Sequence, residues 1–197
     1  VETRIDENGV LLARGANIML GYWNNPDATR AVLSEDGWLN TGDQVRIDER
    51  GFIHITGRIK EIIVLGNGEK VPPVDMEMAI QMDPLFEQVL VYGEAKPYLS
   101  AIVVLNDEEW GRVASDAKLD PKIDGEGKEQ SEKFLVQRIG KLIKGFPGYA
   151  LVRKVAVARE KWTIDNGMIT PTLKLKRNVI FQKYASAIDE MYKGHVL

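Results

Sequence analysis

Gly37-Trp38-Leu39-Asn40-Thr41-Gly42-Asp43 and Gly57-Arg58-Ile59-Lys60-Glu61 are the two stretches on which the reading of this chain turns. In the first, an Asp directly follows a Gly turn and precedes a strand pattern, and such a carboxylate can accept two hydrogen bonds from a diol such as a ribose. The ordinary alternative is a plain turn or strand cap, because Asp is a common turn former. In the second, the Arg58 guanidinium can fork onto ribose or phosphate oxygens, or pair with a nearby carboxylate such as Glu61. Neither segment is decisive alone.

Upstream, from Val1 to about Arg58, strand and turn signals alternate. Asn8-Gly9 separates Val1–Ile5 from Val10–Ala13, Asp36-Gly37 marks another turn, and Arg50-Gly51 separates Val45–Ile47 from Phe52–Ile55. One short helix interrupts this β-rich half, because Asn25-Pro26-Asp27-Ala28 offers a cap and a first-turn proline before Thr29–Leu33. Beyond Arg58 the pattern becomes alternating strands and helices, which places a domain boundary at Arg58–Glu61. The expected order is a strand at Glu61–Leu65, a helix from Pro72-Pro73 through Met82, strands Gln88–Tyr92 and Leu99–Leu105, and a helix over Asp107–Ala117. An exposed loop Leu119–Ser131, including Asp124-Gly125-Glu126-Gly127, precedes a helix Glu132–Lys144, a strand Val152–Ala158 and a final helix Lys176–Tyr192. The fold class is α+β: a small β-rich subdomain followed by a mixed α+β domain.

Composition sets the background. Of 197 residues, 44% are hydrophobic and 28% charged, the balance of a globular chain and not of a disordered tail. Lys and Arg total 26 against 29 Asp and Glu, so no basic field is available for a nucleic-acid backbone. The lack of cysteine removes disulfides, thiolate metal sites and Cys nucleophiles, and fits a reducing compartment such as the cytoplasm. No apolar run reaches the roughly 18–20 residues of a membrane span. The chain starts at Val1, inside a predicted strand and without Met, which suggests a piece of a longer protein.

Two further segments carry candidate chemistry. Gly66-Asn67-Gly68-Glu69-Lys70 lacks the spacing and the Lys-Ser/Thr ending of a P-loop, and reads by composition as a hairpin turn. Pro171-Thr172-Leu173-Lys174-Leu175-Lys176-Arg177 is a basic cluster ahead of the last helix, where a solvated face is the usual outcome. His54 and His195 lack the neighbours that a metal site or a triad requires and receive no role.

The order of the motifs changes their weight. Gly21-Tyr22-Trp23-Asn24-Asn25-Pro26, then Gly37 through Asp43, then Gly51-Phe52-Ile53 and Gly57 through Glu61 together resemble the adenylate-forming, or AMP-binding, superfamily. That superfamily includes acyl-CoA synthetases, peptide-synthetase adenylation domains and luciferases. The resemblance covers nearly the whole chain apart from the loop around Leu119–Ser131, and points to the C-terminal portion of a long-chain acyl-CoA synthetase.

By this resemblance, residues 1–59 are the last β subdomain of the large N-terminal adenylation domain, 60–197 are the small mobile C-terminal lid, and Lys60 is the hinge. Asp43 would hold the ribose hydroxyls of ATP and of the acyl-adenylate, and Arg58 would contact the nucleotide. The implied reaction joins a carboxylate to the ATP α-phosphate with release of pyrophosphate, then passes the acyl group to the CoA thiol. A late lysine serves the first step by stabilising charge at the phosphate and carboxylate oxygens. Lys174 is its counterpart here. The usual Gly-Lys ending is replaced by Pro171-Thr172-Leu173-Lys174, so Lys176 stands as the alternative. After lid rotation, Gly66, Asn67 and Gly68 would lie along the pantetheine path, where absent side chains let a ligand pass close to the backbone.

ATP, Mg2+ and CoA are the implied cofactors, held mostly by residues outside this chain, and no metal ligand is assigned within it. A fatty acid is the expected substrate, from the similarity of Gly66–Pro72 and Met168–Arg177 to long-chain acyl-CoA synthetases and from the long connection between Leu99 and Glu132. Peripheral membrane association and oligomeric state stay open. Alone, the chain is expected to be inactive in adenylation and to hold nucleotide weakly, because positioning requires both domains. The competing readings are an aryl- or amino-acid-activating relative and a non-catalytic module of the same fold. Loss of Asp43, Arg58 or Lys174 would mark the latter, and all three are present.

Overall fold

The computed structural model describes residues 1–123 and 127–194. Asp124-Gly125-Glu126 of the predicted loop and His195 lie outside the described residues. The chain is mixed α+β and divides into two compact units, Val1–Ile62 and Ile63–Leu197.

The first unit is an antiparallel meander of four strands in the order β1 (Glu2–Ile5), β2 (Val10–Arg14), β3 (Leu39–Ile47) and β4 (Ile53–Arg58). Its turns are built by aspartates. Asp6 Oδ1 accepts from the amides of Asn8 and Val10 at 2.8 Å each, and Asp48 Oδ1 accepts from Arg50 N at 3.0 Å and Phe52 N at 2.9 Å. The second oxygen of Asp48 meets His54 Nε2 at 2.8 Å, which gives His54 a structural partner across the same hairpin. Helix α1 (Pro26–Arg30) starts where expected, with Asn25 Oδ1 accepting from Ala28 N at 3.1 Å and Pro26 in the first turn. Trp38 is buried beneath two guanidinium groups, Arg4 at 4.2 Å and Arg14 at 4.7 Å from its ring centroid. Among the described residues of this unit, only Val10, Trp38 and Val45 are buried apolar side chains.

The second unit has a fuller core. Strands β7 (Phe86–Tyr92) and β8 (Leu99–Leu105) pair antiparallel, and β9 (Val152–Val157) joins β8 in parallel, so β8 is central and buried along its whole length. Strand alternation sorts the side chains between two layers. Val89, Val91, Ala101 and Val103 face a cluster with Met76 and Ile80 of α2 (Pro73–Gln81), Trp110 of α3 (Asp107–Ala117), and Leu135 and Ile139 of α4 (Lys128–Leu142). Leu90, Ile102 and Val104 face the other cluster, with Trp162, Ile180 of α5 (Arg177–Lys183) and Ile188 of α6 (Ala185–Tyr192). Before this sheet, β5 (Ile63–Val64) and β6 (Lys70–Val71) form a short antiparallel hairpin.

The start of α4, the final helix and the strand after the boundary are among the elements that differ from the sequence expectation. Helix α4 begins at Lys128, inside the stretch expected as loop. Its first turns are polar and held by Lys133–Glu129 at 2.7 Å and Lys128–Glu132 at 3.6 Å, with Ser131 as the buried residue one turn before Leu135, so hydrophobic periodicity misses them. The final helix is interrupted at Tyr184, beyond which α6 carries Tyr192 onto the sheet, its hydroxyl bonded to Ser100 Oγ at 2.9 Å. The strand expected at Glu61–Leu65 shrinks to Ile63–Val64, because a 3-10 turn occupies Ile59–Glu61.

Candidate functional site

Each unit carries its own candidate groups. In the first, Asp43 lies within β3, not ahead of a strand, and a local distortion shapes its surroundings. The β2–β3 register shifts between the Val10↔Gln44 and Leu12↔Asn40 pairs, and Gly42 takes φ +72°. A Cβ at residue 42 would touch nothing within 4 Å, so the glycine is there for its backbone angle and not for space. Asn40 Oδ1 accepts from Gly42 N at 2.9 Å, Thr41 Oγ1 accepts from Asp43 N at 3.1 Å, and the Thr41 hydroxyl donates to Leu11 O at 2.9 Å. The Thr-Gly-Asp run thus satisfies its own backbone locally and leaves the Asp43 side chain to project from a fixed bulge.

Arg58 sits directly opposite Asp43 in the β3–β4 register, and its Nε donates to Asp43 Oδ1 at 2.6 Å. The bonded, charged neighbour raises the guanidinium's affinity for its proton, with Glu61 a lesser contributor. Of the two fates that the sequence leaves open for Arg58, a carboxylate pair is present, but the partner is Asp43 and not Glu61.

In the second unit, Gly66, Asn67 and Gly68 form the turn of the β5–β6 hairpin, the conformation that their composition favours. Leu65 O accepts from Gly68 N at 2.8 Å, Asn67 Oδ1 accepts from Glu69 N at 3.1 Å, and Gly68 has φ +85°. The β7–β8 connection braces this turn from behind. Gly66 N donates to Lys96 O at 2.9 Å, Ala95 N to Val64 O at 2.8 Å, and Val64 N to Glu94 Oε2 at 2.9 Å.

Lys174 lies in a second tight hairpin, closed by the Ile169↔Leu175 bridge. Thr170 N donates to Lys174 O at 2.8 Å, Lys174 N to Thr170 Oγ1 at 3.0 Å, and Leu173 N to Thr170 O at 2.8 Å. Leu173 adopts φ +61° with its side chain 75% exposed, so the position where a glycine would be strain-free carries an exposed leucine. Lys174 and Lys176 are both exposed, and neither forms a salt bridge with the described residues. Lys176 N donates to Met168 O at 2.8 Å, and Lys176 O caps α5 by accepting from Val179 N and Ile180 N. Lys60 lies in the 3-10 turn Ile59–Glu61, within the unit that ends at Ile62.

The sequence reading passed over Glu77 and Arg177 as a pair. Arg177 Nη1 donates to Glu77 Oε1 at 2.8 Å and Nη2 to Oε2 at 2.6 Å, joining α2 to the first residue of α5. The available signal is the spacing Pro73, Met76, Glu77, Ile80, which puts a carboxylate at a core position of a helical stripe. Among the described residues no three His, Asp or Glu side chains come together as a metal site, and no helix is long and apolar enough to cross a membrane.

Comparison with known proteins gives these groups a setting. The chain is 35% identical over 96% of its length to a long-chain-fatty-acid–CoA ligase of Mycobacterium tuberculosis, covering 32% of that protein. It is 35% identical over 93% of its length to a chloroplastic long-chain-fatty-acid–[acyl-carrier-protein] ligase of Arabidopsis thaliana, covering 25% of it. The adenylation domain of a carboxylic acid reductase from Segniliparus rugosus, solved with AMP and a co-purified carboxylic acid, superposes with a TM-score of 0.80 at 27% identity, over 93% of this chain and 28% of that one. The chain thus spans about a third or less of the length of these relatives. Residues 60–196 match the model of the AMP-binding enzyme C-terminal domain, and the chain belongs to that family of adenylate-forming enzymes.

Proposed function

We propose that the chain supplies the end of the N-terminal adenylation domain, residues 1–59, and the mobile lid, residues 60–197, of an AMP-forming acyl-CoA synthetase acting on long-chain fatty acids. The observation that carries this reading is the similarity of nearly the whole chain to long-chain-fatty-acid–CoA ligases, in a sequence that holds Asp43, Arg58 and Lys174 in the motifs described above.

Chemically, the Asp43 carboxylate accepts hydrogen bonds from the two ribose hydroxyls of ATP, a role that suits an acceptor-only group projecting from a fixed bulge. Arg58 shares Oδ1 with the ribose or turns its remaining N–H groups to the nucleotide. The Lys174 ammonium, unpaired among the described residues, moves into the closed site and stabilises the charge that builds on phosphate and carboxylate oxygens as the acid attacks the α-phosphate. Rotation about Lys60 then withdraws it and presents the Gly66–Gly68 turn to the pantetheine arm. No step runs through Mg2+ on the residues described here; with ATP, the ion would be held by residues outside this chain. The chain alone does not adenylate, because the half-site lacks the groups that hold the acid and the triphosphate. The lack of cysteine agrees with a reducing compartment such as the cytoplasm.

Similarity to an acyl-carrier-protein ligase supports a second acceptor, the pantetheine thiol of a carrier protein in place of that of CoA. The test is product formation by the enzyme that carries this chain, given ATP, palmitate, and either CoA or pantetheinylated carrier protein. Palmitate-dependent release of pyrophosphate supports adenylation of a fatty acid, and the thioester formed names the acceptor. Exchange driven by aryl or amino acids and not by palmitate refutes the fatty-acid reading.

A further inference from the structure

Glu77 is a carboxylate 5% exposed in the stripe by which α2 meets the sheet. Its Oε1 accepts from Val91 N at 2.8 Å as well as from Arg177 Nη1, and Oε2 takes Arg177 Nη2. An ion pair built on a buried carboxylate and a largely covered guanidinium is a costly way to hold two helices together, since desolvation offsets much of the attraction, and apolar side chains would serve as well. What a two-point fork supplies beyond adhesion is direction: two parallel N–H···O bonds fix the plane and the azimuth of the guanidinium.

Arg177 is the first residue of α5 and follows the Lys174 hairpin directly. The hairpin enters from Met168, which is buried in the core and whose carbonyl accepts from Lys176 N at 2.8 Å, and it leaves through Arg177. The Lys174 side chain itself is exposed and makes no salt bridge with the described residues, so its position is inherited from the two ends of its hairpin. One end is held by a core side chain, the other by the fork on Glu77.

We propose that Glu77 and Arg177 are positioning residues for Lys174: their fork fixes the base of the lysine hairpin on α2, so that the ammonium enters the closed site in register for adenylation. The proposal rests on the adenylation role given to Lys174 above. It makes the pair matter to one half-reaction and not to the other, which a purely structural brace would not.

The test uses the whole enzyme carrying this chain, with palmitate as the acid. Arg177→Lys keeps the charge and loses the fork. It is expected to lower kcat for palmitate-dependent ATP–pyrophosphate exchange about tenfold or more, with the KM for ATP little changed, while thioester formation from supplied palmitoyl-adenylate stays within about twofold of wild type. Should that variant fold poorly, Glu77→Gln with Arg177→Met keeps an acceptor for Val91 N and removes both charges. The same selective loss is expected from it. Equal loss in both half-reactions, or no loss in exchange, overturns the proposal. Lys174→Ala run in parallel separates the two layers. If it leaves exchange intact, the role of Lys174 fails and the positioning claim with it; if it abolishes exchange while Arg177→Lys does not weaken it, the positioning claim alone fails.

Discussion

Arg58 and Asp43 are register partners across β3 and β4, joined by a 2.6 Å bond from Nε to Oδ1. Each is the other's partner before any ligand arrives. In the proposed role, a nucleotide reaching Asp43 would meet a carboxylate with one oxygen already engaged and a cation beside it, an arrangement that keeps the carboxylate oriented as an acceptor. Because the Arg58 side chain is 54% exposed, the pair adds little to folding. Asp43→Asn in the enzyme carrying this chain is expected to raise the KM for ATP about tenfold or more. The melting temperature should fall by no more than about 2 °C. Steady-state kinetics and a thermal melt on the same sample check both.

Leu173 offers a stability prediction in the opposite direction. With φ +61° and an exposed side chain, it occupies a backbone region that costs an ordinary L-residue about 1 kcal/mol and glycine nothing. Leu173→Gly is expected to stabilise the second unit, reduced somewhat by the greater freedom of glycine in the unfolded chain, for a net gain of about 0.5 kcal/mol. A urea midpoint that rises slightly agrees; a fall of more than about 1 kcal/mol would show that the leucine packs in a way its exposure conceals.

Asp83 and Arg138 give the second unit a pH dependence. Arg138 Nε and Nη2 donate to the two Asp83 oxygens at 2.6 and 3.0 Å, with the Asp83 side chain 10% exposed. The Arg138 hydrogen bonds hold the carboxyl below the usual carboxylate range, against the opposing effect of burial. A carboxyl whose folded pKa is depressed stabilises the fold above its unfolded pKa of roughly 3.9, and that contribution is lost as pH falls through the lower folded value. Asp83→Asn is expected to cost about 1–3 kcal/mol at pH 7. The gap from wild type should close below about pH 3.9. Urea midpoints at pH 7 and pH 3 read this directly.

Under the proposed function, Gly68 would connect fold and reaction. A Cβ at residue 68 would clash with nothing, but φ +85° would strain it, so Gly68→Ala is expected to cost about 1 kcal/mol and to shift the turn. Thioester formation from supplied acyl-adenylate should fall severalfold while ATP–pyrophosphate exchange stays near wild type. Gly68→Asn, a residue that tolerates the left-handed region, should recover stability more fully than activity.

What the sequence made legible was local. Asn8-Gly9, Arg50-Gly51 and Gly66-Asn67-Gly68 are turns because short-range chemistry forces them, and β7 and β8 follow from their apolar runs. Features set by distant partners were not legible. The Asp43–Arg58 pairing depends on the β3–β4 register, which shifts between Gln44 and Val45, and the Glu77 fork reaches an arginine in another helix. The start of α4 was hidden by polar side chains that pair with one another, and the interruption at Tyr184 leaves no proline or glycine as a marker. Lys174 and Lys176 are both exposed, and chemistry must separate them.

The role of Lys174 is therefore the point at which the account is most directly tested. In the enzyme carrying this chain, Lys174→Ala and Lys176→Ala are compared for palmitate-dependent ATP–pyrophosphate exchange and for thioester formation from supplied palmitoyl-adenylate. Lys174→Ala is predicted to lower exchange at least about a hundredfold. It should leave the thioester step within about twofold, and Lys176→Ala should leave both steps near wild type. Exchange that survives Lys174→Ala would contradict the account.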